Sequence, residues 1–106
     1  MIRGEVWWTD LEPVRGSEIR KRRPTVILSA SSIAQHRRTV VAVPLSTGPS
    51  PRWPLVVDLP SIGTQTVAVC DQLRALARSR FDKRLGAVSE ADMTRLAEAL
   101  KLVLDL

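Results

Sequence analysis

Glu18 stands two residues ahead of the cationic run Arg20-Lys21-Arg22-Arg23, which ends at Pro24 and feeds the apolar stretch Thr25-Val26-Ile27-Leu28. Clustered cations in a loop suit a phosphate-bearing ligand. A loop held by a rigid strand is also where sites tend to sit. Two further polar breaks follow strand-like runs. Ser46 and Thr47 close Thr39-Val40-Val41-Ala42-Val43-Pro44-Leu45, and Asp71, Gln72 and Arg74 interrupt Val67-Ala68-Val69-Cys70 and Leu73. Asp is a poor strand former, so the break at Asp71 is the least ordinary of the three. Three polar breaks at strand ends can converge on one face of a small fold. The plainer reading is that each is a solvated turn. Whether the basic loop only holds nucleic acid or also acts on it stays open on these residues alone.

Other chemistries lack their parts. No GxxxxGKS or GxGxxG phosphate cradle, no HExxH and no CxxC is present. One His and one Cys cannot build a zinc site of the usual kind, so neither metal nor cofactor is expected. His36, beside Arg37 and Arg38, reads as a solvated loop residue. Cys70 follows a Val-Ala-Val run and reads as a small buried side chain without a base partner.

The bulk numbers agree with an anionic partner. Lys and Arg number 16 against 11 for Asp and Glu, and the net charge is +5. Arg supplies all but Lys21, Lys83 and Lys101 of these cations, although a GC-rich genome would give the same bias. At 106 residues one domain spanning residues 1–106 is expected, with a modest core that a dimer would enlarge. A lone cysteine suits a reducing cytosol, and neither a signal peptide nor a membrane-length apolar run is read. A cytoplasmic location follows as the expectation.

The elements that must position these residues are mostly strands. Ile2 to Leu11 alternates as a first strand, with Trp7 and Trp8 on opposite faces. Core or interface packing suits both rings, and stacking on a base is the alternative for one of them. Thr25 to Ser29 gives a short strand, and Ser31 to Arg38 an irregular segment with room for one helical turn. Thr39 to Leu45 is the strongest strand, and its Pro44 must fall at an edge, a bulge or the strand end. Leu55 to Val57 forms another. Gln65 to Cys70 and Leu73 to Leu76 read as one longer strand, bent near Asp71-Gln72. Arg78 to Lys83 reads as a polar connection, and Gly86 to Val88 as briefly extended chain. Trp53, between Arg52 and Pro54, should be more exposed than the other tryptophans. At the end, Ser89-Glu90-Ala91-Asp92 has capping-box form, with Val88 and Met93 placed as a staple. Met93, Leu96, Ala97, Leu100, Val103 and Leu104 then recur at helical spacing, so a helix should run from Ser89 or Glu90 to about Leu104. Strands followed by one helix suggest a mainly β chain with α, folded as a small, twisted, partly closed barrel.

In this order the residues resemble the MazF/PemK family of toxin endoribonucleases. The carriers are Arg3-Gly4-Glu5-Val6-Trp7-Trp8 with Asp10-Leu11-Glu12-Pro13; Arg15-Gly16-Ser17-Glu18; Arg23-Pro24 with Thr25-Val26-Ile27-Leu28-Ser29; Val41-Ala42-Val43-Pro44-Leu45-Ser46; and Cys70-Asp71-Gln72-Leu73-Arg74. The tail Arg84-Leu85-Gly86-Ala87-Val88-Ser89 with Ala99-Leu100-Lys101-Leu102-Val103-Leu104 also fits. The resemblance implies an SH3-like barrel with a C-terminal helix, acting as a homodimer. It implies metal-independent, sequence-specific cleavage of single-stranded RNA (mRNA, with tRNA and rRNA as further candidates). It also implies a cognate antitoxin, acidic and partly disordered, through which alone the complex would meet DNA. No membrane partner is implied.

Carried over by position, Arg23 matches the family's catalytic arginine and Ser46 the Ser/Thr after the third strand. Glu18 matches the loop acid. Asp71 and Gln72 match polar positions near the RNA; Ser17, Thr47 and Arg74 are further candidate RNA-binding residues, and Arg20, Lys21 and Arg22 are candidates for steering RNA or meeting the antitoxin's acidic segment. Some members carry His where this chain has Ser17, and a basic residue where it has Val69, so a scheme in which those side chains handle protons does not carry over directly. The implied reaction is attack of a ribose 2′-OH on the adjacent phosphate, giving 2′,3′-cyclic phosphate and 5′-OH ends. Arg23 and Ser46 would stabilise the phosphorane-like charge. A guanidinium with a pKa above about 12 is a poor base, which leaves Glu18 for the proton.

Two alternatives keep the same fold. A non-enzymatic inhibitor of a protein such as DNA gyrase would need a Trp-containing tail, whereas this sequence ends Val103-Leu104-Asp105-Leu106. An RNA-binding barrel without activity would not need Arg23 and Ser46 together.

Overall fold

Thr39-Val40-Val41-Ala42-Val43-Pro44-Leu45-Ser46 is apolar on both faces, and a strand of that kind has to be covered on both sides. The computed structural model, which describes residues 1–12, 16 and 21–106, makes it the centre of the sheet. The described elements run β1 (Glu5–Asp10), β2 (Arg22–Ile27), α1 (Ser31–His36), β3 (Thr39–Ser46), β4 (Val56–Asp58), β5 (Val67–Val69), β6 (Arg74–Ala77), β7 (Phe81–Ala87) and α2 (Glu90–Leu104). The sheet order is β4-β5-β3-β2-β1-β7, with β6 also paired to β3, and its ladders are antiparallel. The sheet curls without closing: β7 pairs with β1 and β4 with β5 at its two ends. The expectation of a small, mainly β fold with a C-terminal helix is met, with an open seam in the barrel.

β5 and β6 pair along one edge of β3, split by a 3₁₀ turn at Cys70–Gln72. This is the bend expected at Asp71-Gln72. β6 pairing stops at Ala42 and β5 pairing starts at Leu45, so Pro44 falls where that edge carries no ladder pair. A residue without an N–H is tolerated there.

The two faces of the sheet bury separate clusters. Val26, Val43, Leu45, Val57, Leu59 and Ala68 meet Leu96 and Ala99 of α2 on one face. Leu11, Ile27, Ala34, Val40, Leu76 and Phe81 fill the other. Ser89 caps α2, its Oγ accepting from the Asp92 N–H at 3.1 Å. The return bond of a capping box is replaced. The Asp92 carboxylate accepts from the Ser61 N–H at 2.8 Å, and the Ser89 N–H donates to Ser61 Oγ at 3.1 Å. The helix start is thereby tied to the β4–β5 loop.

Two expectations need correction. Arg78 to Lys83 is not simply a connection, because β7 begins at Phe81 and runs to Ala87. Its middle is Asp82-Lys83-Arg84, an exposed, charged edge strand that shows no apolar alternation to read. β1 does not alternate throughout: Val6, Thr9 and Leu11 are buried while Trp7 and Trp8 are both half-buried. The β1–β7 pairing shifts register between Val6 and Trp7 and again between Trp8 and Thr9, on either side of the two half-buried rings.

Candidate active site

The end of β1 and the start of β2 are tied together by one carboxylate. Glu12 Oε1 accepts from the Lys21 N–H at 3.0 Å, and the Leu11 N–H donates to the Lys21 carbonyl at 3.0 Å. Lys21 sits at φ +70°, a left-handed backbone that costs a non-glycine residue about 1 kcal/mol. The Glu12 bond holds it there. In the sequence Glu12 stands out only as part of the family resemblance, with nothing local to announce this bond. Ser17, Glu18 and Arg20 lie outside the described residues.

Pro24 limits how far β2 and β3 can pair. Leu11 bonds Lys21, and the register runs Asp10 to Arg22, Thr9 to Arg23 and Trp8 to Pro24. In an antiparallel ladder alternate residues bond the same neighbour, so Arg23 and Thr25 point their backbone groups at β1 and Pro24 points at β3. Pro24 has no N–H to give. The β2–β3 ladder accordingly ends at Thr25–Pro44. Beyond it the strands part around a cleft of about 220 Å³, lined by Arg22, Arg23 and Pro24 on one side and Leu45, Ser46 and Thr47 on the other, with Trp8 and Thr66. Arg23 and Ser46, both half-buried, are thus brought together.

Ser46 Oγ accepts from the Gly48 N–H at 3.3 Å. That uses a lone pair and leaves the hydroxyl proton free to donate into the cleft. Behind Arg23, its cross-strand partner Thr9 is fully buried, with Oγ1 2.9 Å from the Trp7 carbonyl and 2.8 Å from Thr25 Oγ1. Each hydroxyl has one proton, so Thr9 donates to Trp7 and Thr25 donates to Thr9. Trp7 packs on the Leu11 cluster and its indole N–H donates to Glu5 Oε1 at 3.2 Å. Trp8 instead offers its ring to the cleft.

Asp71, Gln72 and Arg74 do not line this cleft. Asp71 is exposed on the 3₁₀ turn, and Arg74 Nη1 donates to the Leu11 carbonyl at 3.3 Å. Arg22, on the cleft wall, and Lys21 before it are exposed, and Arg22 meets Asp82 at 3.5 Å. A second, polar concavity of about 340 Å³ continues from Thr47, with Gly48, Ser50, Asp58 and Gln65 among its lining. Thr66 and Trp8 were not singled out together by sequence, because no local pattern joins residues so far apart in the chain. Burial, and then the Asp71 charge, push the Cys70 thiol up to about 11, so it is no nucleophile at neutral pH. His36 is exposed at the end of α1, and Trp53 is exposed as expected. Among the described residues no cluster of His, Cys, Asp and Glu is arranged to hold a metal ion, and no helix is long and apolar enough to cross a membrane.

The family described as PemK-like, MazF-like toxins of type II toxin–antitoxin systems matches residues 2–104. The chain belongs to this family. Among its relatives, the endoribonuclease MazF9 of Mycobacterium tuberculosis is 36% identical over 115 residues, covering 100% of this chain and 98% of the relative. The endoribonuclease PemK of Escherichia coli is 32% identical over 98% of this chain and 82% of its own length. Among solved structures, MazF from Deinococcus radiodurans superposes with a TM-score of 0.87 at 25% identity, covering 100% of this chain and 97% of that one. A mycobacterial endoribonuclease in complex with its cognate antitoxin gives 0.83 at 28% identity, over 100% and 96%. The PemK/MazF toxin therefore carries Arg23 and Ser46 on a fold whose named relatives are endoribonucleases.

Proposed function

We infer that this protein is the toxin of a type II toxin–antitoxin pair and cuts single-stranded RNA at specific sequences without a metal. The observation that supports the chemistry best is the cleft where Arg23 and Ser46 meet beyond the Thr25–Pro44 pair. The nucleophile is the substrate's own 2′-OH. It attacks the neighbouring phosphorus, the bond to the 5′-oxygen breaks, that oxygen takes up a proton from water, and the products are a 2′,3′-cyclic phosphate and a 5′-OH end. The protein's part is to hold the chain in line and stabilise the added negative charge. Arg23 supplies guanidinium N–H donors, and Ser46 adds one O–H donor whose direction the Gly48 bond restricts. Glu18 takes the 2′-OH proton, and Trp8 stacks on a base beside the scissile phosphate. Thr47, Asp71 and Gln72 contribute base and backbone contacts.

The acting species is a homodimer, and an acidic, partly disordered antitoxin segment covers the basic face. Incubation of the purified protein with a long RNA in EDTA, followed by mapping of the ends, tests this reading. Cleavage with 5′-OH ends supports it. Binding without cleavage would favour an RNA-binding barrel without activity, and 5′-phosphate ends would contradict the proposed reaction.

A further inference from the structure

We propose that a track of arginines on β6, the 3₁₀ turn after it and the α1–β3 turn binds the phosphates of RNA leading away from the cleft. This rests on the RNA-cleaving reading above. The sequence marks His36, Arg37 and Arg38 as a basic cluster that the cleft does not use. The structure connects them to it. Arg22 in the cleft pairs with Asp10, and the Asp10 carbonyl accepts from Arg80 Nη1 at 3.3 Å. Arg74 donates to the next carbonyl, Leu11. Arg78 Nη1 donates to the Ala34 carbonyl, and the Arg78 N–H donates to the Arg38 carbonyl at 2.8 Å, placing Arg38 and the exposed Arg37 at the far end.

How these cations are held separates them from the ion-paired arginines. Arg84 is paired with Glu5 at 2.6 Å, Arg95 with Asp58 at 2.6 Å and Asp92 at 3.5 Å, and Arg22 with Asp82. Arg74, Arg78 and Arg80 instead anchor one N–H each on a main-chain carbonyl, a neutral acceptor, and none of them is ion-paired among the described residues. Their charge is not cancelled, their guanidinium groups are oriented, and the remaining N–H donors suit phosphate oxygens. Among the described residues the acids near this path include Asp10, whose Oδ1 accepts the Glu12 N–H, Glu12, whose Oε1 accepts the Lys21 N–H, Asp71, exposed three residues before Arg74, and Asp82, which meets Arg22. Thr39 and Ser46, the ends of β3, stand about 23 Å apart at the usual rise of a strand. A motif-only RNA, here one cut back to the scissile phosphate and its immediate neighbours, therefore cannot reach from Ser46 to Arg38, whereas a long one can. An acidic protein segment could use the same charges. Regularly repeated phosphates match the succession of separate guanidinium groups better, and the test distinguishes the two.

The experiment compares a motif-only RNA with the same motif inside a long RNA, both carrying a 2′-deoxy sugar at the scissile position so that binding is read without cleavage. Affinities are titrated against salt for the wild type, Arg38→Gln/Arg80→Gln and Arg37→Gln/Arg38→Gln. The wild type should bind the long RNA at least tenfold more tightly. Each double variant should lose that gain, and the slope of log affinity against log salt should fall in size by about 1.4, at about 0.7 per single-strand phosphate contact. Motif-only affinity, and the cleavage rate of the unmodified short RNA, should not move. The Arg37/Arg38 pair is fully on the surface and guards against loss of fold. Lys at the same positions should restore part of the slope. Equal losses on both RNAs, an unchanged slope, or a loss seen only with a polyglutamate peptide would overturn the track. If the wild type binds the long RNA preferentially but never cuts, the enzyme reading falls and the track stands. If it cuts and shows no length effect, the track falls alone. If it binds neither RNA, both fall.

Discussion

Arg23 and Ser46 each stand two residues past the point where β2 and β3 stop pairing at Thr25–Pro44, and they line one cleft because Pro24 has no N–H to continue the ladder. A proline in the strand thus opens space between two neighbouring strands and leaves a cation on one wall and a hydroxyl on the other. The Gly48 N–H bond to Ser46 Oγ directs the hydroxyl proton toward that space.

Removing the hydroxyl should therefore cost rate more than fold. Ser46→Ala should lower the cleavage rate about 10²- to 10³-fold, as loss of one preorganised donor usually does. Thermal unfolding should shift little, since Ser46 lies outside both core clusters. Single-turnover cleavage of a saturating RNA, beside a melting curve, is the check.

The floor beneath Arg23 makes a different prediction. Thr9 and Thr25 are buried and satisfy each other at 2.8 Å. Thr9→Val would strand the Thr25 hydroxyl and should destabilise by about 1–3 kcal/mol. The double change Thr9→Val/Thr25→Val removes both partners and should recover much of that loss. A double-mutant cycle in urea measures the coupling.

Acid stability should depend on Glu5. Burial alone would raise its pKa, but bonds from the Arg84 guanidinium, the Ile2 N–H and the Trp7 indole outweigh it and hold the carboxyl below its ordinary 4.5. A folded-state pKa below the unfolded one stabilises above the unfolded value and loses that contribution as pH falls through the folded one. Stability should thus drop as pH falls below about 4.5, and Glu5→Gln should flatten that drop while lowering stability at pH 7. Urea midpoints across the acid range give the answer.

The proton acceptor is tested by Glu18→Gln. The rate should fall, and the acidic limb of its pH profile should disappear, with RNA affinity kept. A full rate with an unchanged profile would move the base role elsewhere.

Much of this arrangement was legible in the sequence because it depends on local chemistry. Ser89 announced the start of α2, Met93, Leu96 and Leu100 its buried face, and Asp71 the break between β5 and β6. The apolar run from Thr39 to Leu45 announced the central strand. What escaped depended on tertiary pairing. The charged Asp82-Lys83-Arg84 is a strand because β1 offers it an edge. Trp7 and Trp8 are both half-buried, one on the Leu11 cluster and the other on the cleft, beside the register slips between β1 and β7. Asp92 looked like half of a capping box, yet its carboxylate serves the Ser61 N–H. At the site, Arg23 and Ser46 stood out by type and position. Glu12, Thr66 and the Thr9–Thr25 pair did not, since contacts between distant segments give them their roles.

The most direct measurement is the cleavage rate of Arg23→Ala on a defined RNA in EDTA, with its melting temperature and sedimentation checked against the wild type. We expect a loss of at least about 10²-fold in rate with fold and assembly unchanged. Cleavage near the wild-type rate, leaving the same 5′-OH ends, would contradict the assignment of Arg23 as the charge-stabilising group.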